Sequence, residues 1–121
     1  MLLSKKLRHR IWIQQLQAVE DSAGEIQTDT GEPIMEWANV AEVWAAIEPL
    51  SARQFLAAQA QQSKVSCLIT IRHRSDIDPA MRLYHEYKNA YYNLEGILPD
   101  KESGLEYLTL VCSEGVRYAS E

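Results

Sequence analysis

The sequence predicts a mainly β domain with one helix: a small antiparallel β-barrel or sandwich of about six strands, with a long flexible loop after the first strand. Three observations predict this class. Short stretches of alternating apolar and polar residues recur along the 121 residues, as they do in strands that bury one face. Turn-forming residues separate these stretches. One stretch alone combines helical spacing with a helix-start signal, so a single helix is added to a β fold.

The first strand is predicted over residues 8–16. Ile11 and Ile13 fall on one face of this strand, whereas Arg10 and Trp12 fall on the other. Because successive side chains of a strand point to opposite faces, the alternation indicates a half-buried strand.

A long loop is predicted over residues 17–36. The segment contains Gly24, Gly31, Pro33 and several acids, and its apolar residues follow no sustained period. Loops of this length inside small domains are usually functional or disordered. We therefore expect a long, flexible, hairpin-like excursion from the domain.

Strand character resumes over residues 36–50, where Val43, Ala45 and Ile47 share one face. A helix competes with this interpretation because Ala and Glu are good helix formers. The segment is short, is rich in β-formers and stops at Pro49, so we favour a strand.

The helix is predicted to run from Ser51 to about Ser63, over residues 51–63. Ser51 and Gln54 have the spacing of a capping box, in which each side chain bonds the backbone amide of the other residue. Residues at the helical spacing i, i+3, i+4, i+7 and i+8 then form an apolar stripe with one polar member: Ala52, Phe55, Leu56, Gln59 and Ala60.

Residues 64–74 have the clearest strand pattern in the chain. Cys67 and Ile69 share the apolar face, and Arg72 and Arg74 share the opposite face. The pattern predicts a strand with one side in the core and a basic outer side.

Three further strands complete the domain, and they are predicted at residues 81–85, 90–98 and 106–114. Together these elements indicate one domain over residues 1–115, which is an ordinary domain size. We expect the tail at residues 116–121 to be disordered.

The composition, 46% hydrophobic and 24% charged, is that of a globular protein. No apolar run approaches the ~20 residues that a membrane-spanning helix needs. The basic start of the chain is followed by no apolar segment of the kind found in secretion signals, so we expect a cytosolic chain. The net charge is −5, yet four bases and no acid occupy the first ten residues, whereas residues 11–52 carry eight acids and no base.

Residue patterns that would indicate catalysis, a metal or a cofactor do not occur in the sequence. His9, His73 and His85 are scattered singly, and Cys67 and Cys112 lack the spacing of zinc or redox motifs. We expect the two cysteines to be buried free thiols, with a disulfide as the alternative. No nucleophile elbow or phosphate-binding loop is present. The protein is therefore not expected to be an enzyme.

An alternative function from the residues alone is a small β-barrel that binds single-stranded nucleic acid. Tyr91 and Tyr92 would stack on bases, and Arg72 and Arg74 would hold the backbone, as in other single-strand binders. The acidic total charge argues against this alternative.

The order of motifs resembles that of the phage head–tail joining proteins, also called head-closure, stopper or head–tail adaptor proteins. The opening segment Arg-His-Arg-Ile-Trp-Ile-Gln-Gln at residues 8–15 is similar to their first strand. Trp-Ala-Ala-Ile-Glu-Pro-Leu-Ser at 44–51 and Ile-Thr-Ile-Arg-His-Arg at 69–74 continue the match, and residues 108–114 resemble their closing strand. The family usually has a Gly-Arg-x-Tyr-like hairpin where this sequence has residues 86–92.

The resemblance implies a structural virion component of the phage neck and no active site. Such a protein would join the DNA-filled head, at its portal and adaptor ring, to a tail-completion protein, and would help to retain packaged DNA. It would form a homo-oligomeric ring in the virion and be a monomer when isolated. It would contact DNA at most non-specifically, bind no membrane, and pass from the host cytoplasm during assembly to the virion neck.

The charge distribution then suggests two interfaces. An acidic loop would face a neighbouring subunit or the channel of the ring; its candidate residues are Glu20, Asp21, Glu25, Asp29 and Glu32. A basic face would be the complementary surface, with Arg8, Arg10, Arg72 and Arg74 as candidates.

Overall fold

The computed structural model describes residues 7–29, 31–99, 104 and 106–115. The predicted tail at 116–121 and the first six residues, with their two lysines, lie outside the described residues. The elements follow in the order β1 (His9–Ala18), β2 (Thr28–Asp29), β3 (Glu32–Pro33), β4 (Met35–Pro49), α1 (Ala52–Ala60), β5 (Cys67–Arg72), β6 (Arg82–His85), β7 (Ala90–Pro99) and β8 (Tyr107–Glu114).

Six of the strands form a closed antiparallel barrel in the order β1-β4-β5-β8-β7-β6. The barrel closes where β6 pairs with β1, through Trp12 with Tyr84, Ile13 with Leu83, and Gln14 with Arg82. We call these three pairs the closing seam. The predicted class, a small antiparallel barrel with one helix, is confirmed.

The core fills the barrel with the inward side chains that the alternation predicts. Ile11 and Ile13 of β1 are fully buried, as are Ile69 and Ile71 of β5. On β4, Ala45 belongs to the same core cluster, and Val43 and Ile47 pack against it. The strand interpretation of residues 36–50 is therefore confirmed, and the helical alternative is wrong.

A β-bulge bends β4 near its middle. Ile13 pairs with Ala41, but the next residue, Gln14, pairs with Asn39, so Val40 has no partner in β1. The extra residue leaves Val40 41% exposed. Bulges of this kind bend a strand and increase its twist, which helps a 15-residue strand to follow the curve of a barrel.

The connection between β1 and β4 is shorter than the predicted loop over residues 17–36 and contains paired backbone. The strand ladder continues through Gln17 with Glu36 and Ala18 with Met35. What is left, residues 19–34, is called the tip here. Within it a bridge joins Glu20 to Ile26 and β2 pairs with β3, so two small hairpins lie side by side. The flexibility of this segment stays a prediction.

Helix α1 begins as predicted and ends earlier. The Ser51 hydroxyl accepts a hydrogen bond from the Gln54 amide at 3.2 Å, and the Gln54 side chain accepts one from the Ser51 amide at 2.9 Å. This capping box confirms the predicted start. The helix ends at Ala60 rather than at Ser63, and nearby Gln62 has a left-handed φ of 56°, which α-helical residues do not adopt.

The apolar stripe of α1 is not covered by the barrel. None of the nine helical residues is buried, and Phe55 and Leu56 are 49% and 67% exposed. In the described part of the chain, no helix has the length and apolar character that crossing a bilayer requires.

The segment that departs from the resemblance, residues 86–92, forms a tight hairpin between β6 and β7. His85 pairs with Ala90, and the Asn89 amide bonds the Glu86 carbonyl at 3.1 Å. Asn89 has a left-handed φ of 52°, a conformation that Asn tolerates. The turn leaves Tyr87 95% exposed.

Candidate assembly surfaces

The tip is a strongly acidic projection. Glu20, Glu25 and Glu32 are exposed, and the segment from residue 19 to residue 34 contains five acids and no Lys or Arg. The side chain of the fifth predicted acid, Asp29, is outside what the structure describes. The structure thus brings at least three of the predicted acids onto one projection, where nothing basic within the tip neutralises them.

Asp21 is the exception among the predicted acids, because its carboxylate builds the turn. One Asp21 carboxylate oxygen accepts hydrogen bonds from the amides of Ala23 and Glu25, both at 2.9 Å. The turn also needs Gly24, whose φ of 83° suits glycine. Asp21 therefore has a structural role, which is common for Asp in turns.

The tip also exposes apolar side chains that the sequence analysis did not select. Ile26 is 53% exposed, and Ile34 is 38% exposed, next to Met35 at 37%. An apolar group rimmed by charges is typical of a protein interface. The signal was present in the sequence as isoleucines within an otherwise polar loop.

Two of the four predicted basic residues are already paired with local carboxylates. Arg10 forms an ion pair with Glu42, and its guanidinium lies 4.7 Å from the centre of the Trp44 ring. Arg74 binds both oxygens of Asp76, at 3.0 and 2.8 Å. This hydrogen bonding raises the pKa of Arg74 and lowers that of Asp76. The basic interface over these four residues stays a prediction, and two of its members already form local ion pairs.

The other two predicted bases flank a shallow depression on the outside of the barrel. Arg8 and Arg72 line it together with Leu7 and the indole of Trp44, and its volume is about 460 Å³. We call it the basic groove. Trp44 is 51% exposed even though the Arg10 guanidinium lies over its ring, so the groove combines an accessible aromatic side chain with basic residues. A second depression of about 590 Å³ adjoins it at Arg8 and includes the exposed Tyr87 and Lys88.

A third cluster lies on the outer face at the closing seam. The Arg82 guanidinium sits between two aromatic rings, 4.3 Å from the centre of Trp37 and 4.3 Å from that of Tyr91. Its Nε donates to Gln14 at 2.7 Å. Arg82 is only 7% exposed, and burial lowers its pKa. The sequence analysis missed this sandwich because its members come from three separate strands.

The residues of the nucleic-acid alternative are not brought together. Tyr91 faces outward, stacked on Tyr84 at 4.7 Å, but Tyr92 is 3% exposed in the core, and burial raises its pKa to about 12. Strand β8 lies between the two predicted groups. Its last residue, Glu114, pairs with Tyr92 of β7, whereas its first residue, Tyr107, pairs with Arg72 of β5. Its eight residues span roughly 25 Å, so Arg72 and Tyr91 do not share one stacking surface.

One mouth of the barrel brings two of the three histidines, His9 and His85, close to the cysteine pair. The ring centres of His9 and His85 lie 5.3 Å apart in an edge-to-face arrangement. The buried Nδ1 of His85 has no hydrogen-bond partner among the residues that the structure describes. Cys67 and Cys112 are opposite each other on β5 and β8, both buried and free. Their mutual hydrogen bond, followed by burial, raises the pKa of Cys112.

This mouth offers little space for a ligand. The depression it forms has a volume of about 230 Å³, below the usual range for small-molecule sites. Within the described ranges, no three His, Cys, Asp or Glu side chains are placed to hold a metal ion.

Comparison with known proteins identifies a matching family and two similar solved structures. A family model described as phage head completion protein matches residues 2–115. No curated protein sequence matches the chain. The solution structure of protein SF1141 from Shigella flexneri 2a is similar, with a TM-score of 0.69 and 26% identity, over 93% of this chain and 96% of that one. A chain from the virion of a native gene transfer agent particle has a TM-score of 0.55 and 17% identity, over 91% and 96%. This last likeness is one of fold.

Proposed function

Because the chain belongs to the phage head completion protein family, and is thus a structural, head-associated virion component, we propose that it joins the DNA-filled head to the tail. In this role it occupies the phage neck, between a portal and adaptor ring and a tail-completion protein, and it helps to retain packaged DNA. Before assembly it is a monomer in the host cytoplasm, and in the virion it is part of a homo-oligomeric ring.

The observation that carries the proposal is the tip. It projects from a closed barrel and combines exposed isoleucines with exposed carboxylates. Exposed apolar groups among charges are expected where a surface is covered by another protein. The similar chain in the gene transfer agent virion supports a place in a particle. The closed barrel has no open sheet edge. This suits a structural subunit, because exposed edge strands promote aggregation.

Disruption of the gene in an inducible phage tests this function. We expect DNA-filled heads and unattached tails to accumulate, with leakage of DNA from the heads, as seen by electron microscopy and nuclease sensitivity. Addition of the purified chain to the lysate should restore joined particles. Normal particles without the protein would contradict the proposal, and so would an arrest at unfilled heads, which would indicate an earlier role.

The acids of the tip have two possible roles within this function. They either bind a basic surface of the neighbouring subunit or line the channel and repel the phosphates of the DNA. A variant with Glu20→Gln, Glu25→Gln, Asp29→Asn and Glu32→Gln separates them; Asp21 is kept because it builds the turn. Loss of ring assembly supports the first role. Normal rings with altered DNA retention or ejection support the second, and an unchanged phage contradicts both.

A further inference from the structure

The tip and the basic groove lie at opposite ends of one strand pair. The β1–β4 ladder runs from His9 with Ala45 to Ala18 with Met35, and a strand of ten residues is roughly 30 Å long. The tip follows Ala18, whereas Trp44 of the groove lies beside the start of β1. The tip of a chain therefore cannot reach the groove of the same chain.

The two surfaces are complementary in charge and in apolar character. The tip presents exposed carboxylates around Ile26. The groove is lined by Arg8, Arg72 and the half-exposed Trp44. The Arg10 guanidinium lies over the Trp44 ring and adds to the basic character of this surface. Oppositely charged rims around an apolar contact are how protein interfaces fix their register.

We propose that the tip of one copy docks in the basic groove of a second copy, with Ile26 against Trp44 and the tip carboxylates against Arg8 and Arg72. The biological setting of this contact rests on the proposed function. The contact adds to that function the two surfaces that join one subunit to the next. Because the two surfaces differ, the contact is heterologous, and its repetition generates a closed ring or an open chain.

A second copy fits the groove better than nucleic acid does. Each chain carries both halves of the contact, and the tip would otherwise leave Ile26 and three carboxylates uncovered. Nucleic acid would match the two arginines but would leave the acidic tip without a partner, and the net charge of −5 opposes its approach.

Amide signals in NMR spectra of the isotope-labelled full chain test the contact. Unlabelled chain is added at low salt to a concentration of about 1 mM, at which even weak association between copies is detectable. We expect signals from the tip and from the groove to shift together with concentration. The shifts should disappear in about 0.5 M salt, where exposed charges are screened. Signals that do not move over this range would overturn the inference.

A charge exchange identifies the surfaces. One variant carries Glu20→Lys, Glu25→Lys and Glu32→Lys, and the other carries Arg8→Glu and Arg72→Glu. Alone, each should associate at least about tenfold more weakly than the unchanged chain; mixed, the two should associate again. Glu48→Lys and Arg53→Glu, both exposed and outside the two surfaces, are the matched controls. Unchanged core signals show that each variant is folded.

Three results would contradict the contact: association that survives either variant, a mixture that fails to associate, or groove signals that move with duplex DNA and not with added protein. The inference and the proposed function fail separately. If the chain restores joining in the lysate but its copies make no tip–groove contact, only the inference fails. If the phage without the gene makes normal particles, the proposed function fails even where the copies associate.

Discussion

Arg82 shows how this small barrel accommodates a buried charge. Its planar guanidinium lies between Trp37 and Tyr91 and donates to Gln14 across the closing seam. Rings above and below replace part of the hydration that burial removes, because the faces of aromatic rings attract cations. The residue therefore links three strands at the place where the barrel closes.

Replacement of Arg82 by Lys tests this role. We expect Arg82→Lys to lower the free energy of unfolding by about 1–2 kcal/mol, since an ammonium group can neither stack on both rings nor keep the directed bond to Gln14. Urea unfolding followed by tryptophan fluorescence measures the change. Arg53→Lys, at an exposed position of α1, is the control and should stay within about 0.5 kcal/mol. Equal effects of the two variants would show that the sandwich adds nothing.

His85 predicts a pH dependence of stability. Burial, and then the positive charges of His9 and Lys88, hold the pKa of His85 below its ordinary value of 6.5. The unfolded chain therefore takes up a proton more readily than the folded one, so stability is complete above pH 6.5 and falls as the pH drops below it. Urea midpoints across this range should decline in the unchanged chain and decline less in His85→Gln. An equal decline in both would rule out His85 as the source.

The alternation of residues predicts which side of a strand a residue occupies but not its lateral neighbours. Period 2 alone places the buried Tyr92 and the half-buried, outward-facing Tyr91 on opposite sides of the strand, and the nucleic-acid hypothesis did not take this into account. The partners of Arg10 were not predictable in the same way, because Glu42 is 32 positions away in the sequence. Arg74 and Asp76 are two positions apart, so that pair was within reach of the sequence.

At the scale of elements, strands with one buried face were predictable and the tip was not. Residues 36–50 and 64–74 are rich in β-formers that alternate with polar residues over part of their length, and strands β4 and β5 occupy these segments. Strands β2 and β3 have two residues each, too few for any period to show. For α1, the capping box predicted the start, but the period of its apolar stripe says nothing about what the stripe contacts.

The uncovered helix leads to a prediction about local stability. Ser51→Ala removes the bond to the Gln54 amide and should destabilise α1 by about 1 kcal/mol. Because α1 buries no residue, we expect faster amide exchange within the helix and an unchanged urea midpoint for the barrel. Gln59→Ala, exposed on the same helix, keeps the cap and should not speed exchange. A large fall in the urea midpoint of Ser51→Ala would show that α1 supports the barrel.

At the scale of the whole molecule, the barrel contains the hydrophobic core, and the proposed contact belongs to the tip. Replacement of residues 20–33 by Asn-Gly keeps Val19 and Ile34, which already share a backbone hydrogen bond of 2.7 Å, and supplies a turn suited to a two-residue hairpin. We expect the shortened chain to unfold at the same urea concentration as the full chain but to join no heads to tails. Glu48→Lys is the control that should still join them. Joined particles from the shortened chain would show that the tip is dispensable.

The closing seam also determines how late in translation the barrel can complete its folding. Gln14 and Arg82 are 68 positions apart in the sequence, and β6 pairs on its other side with β7, which follows it. Distant pairings of this kind make folding slow. On the ribosome, the first strand must wait with its isoleucines uncovered until most of the chain has emerged, a state that favours aggregation. We therefore expect each copy to become able to meet a neighbour only after its translation is nearly complete.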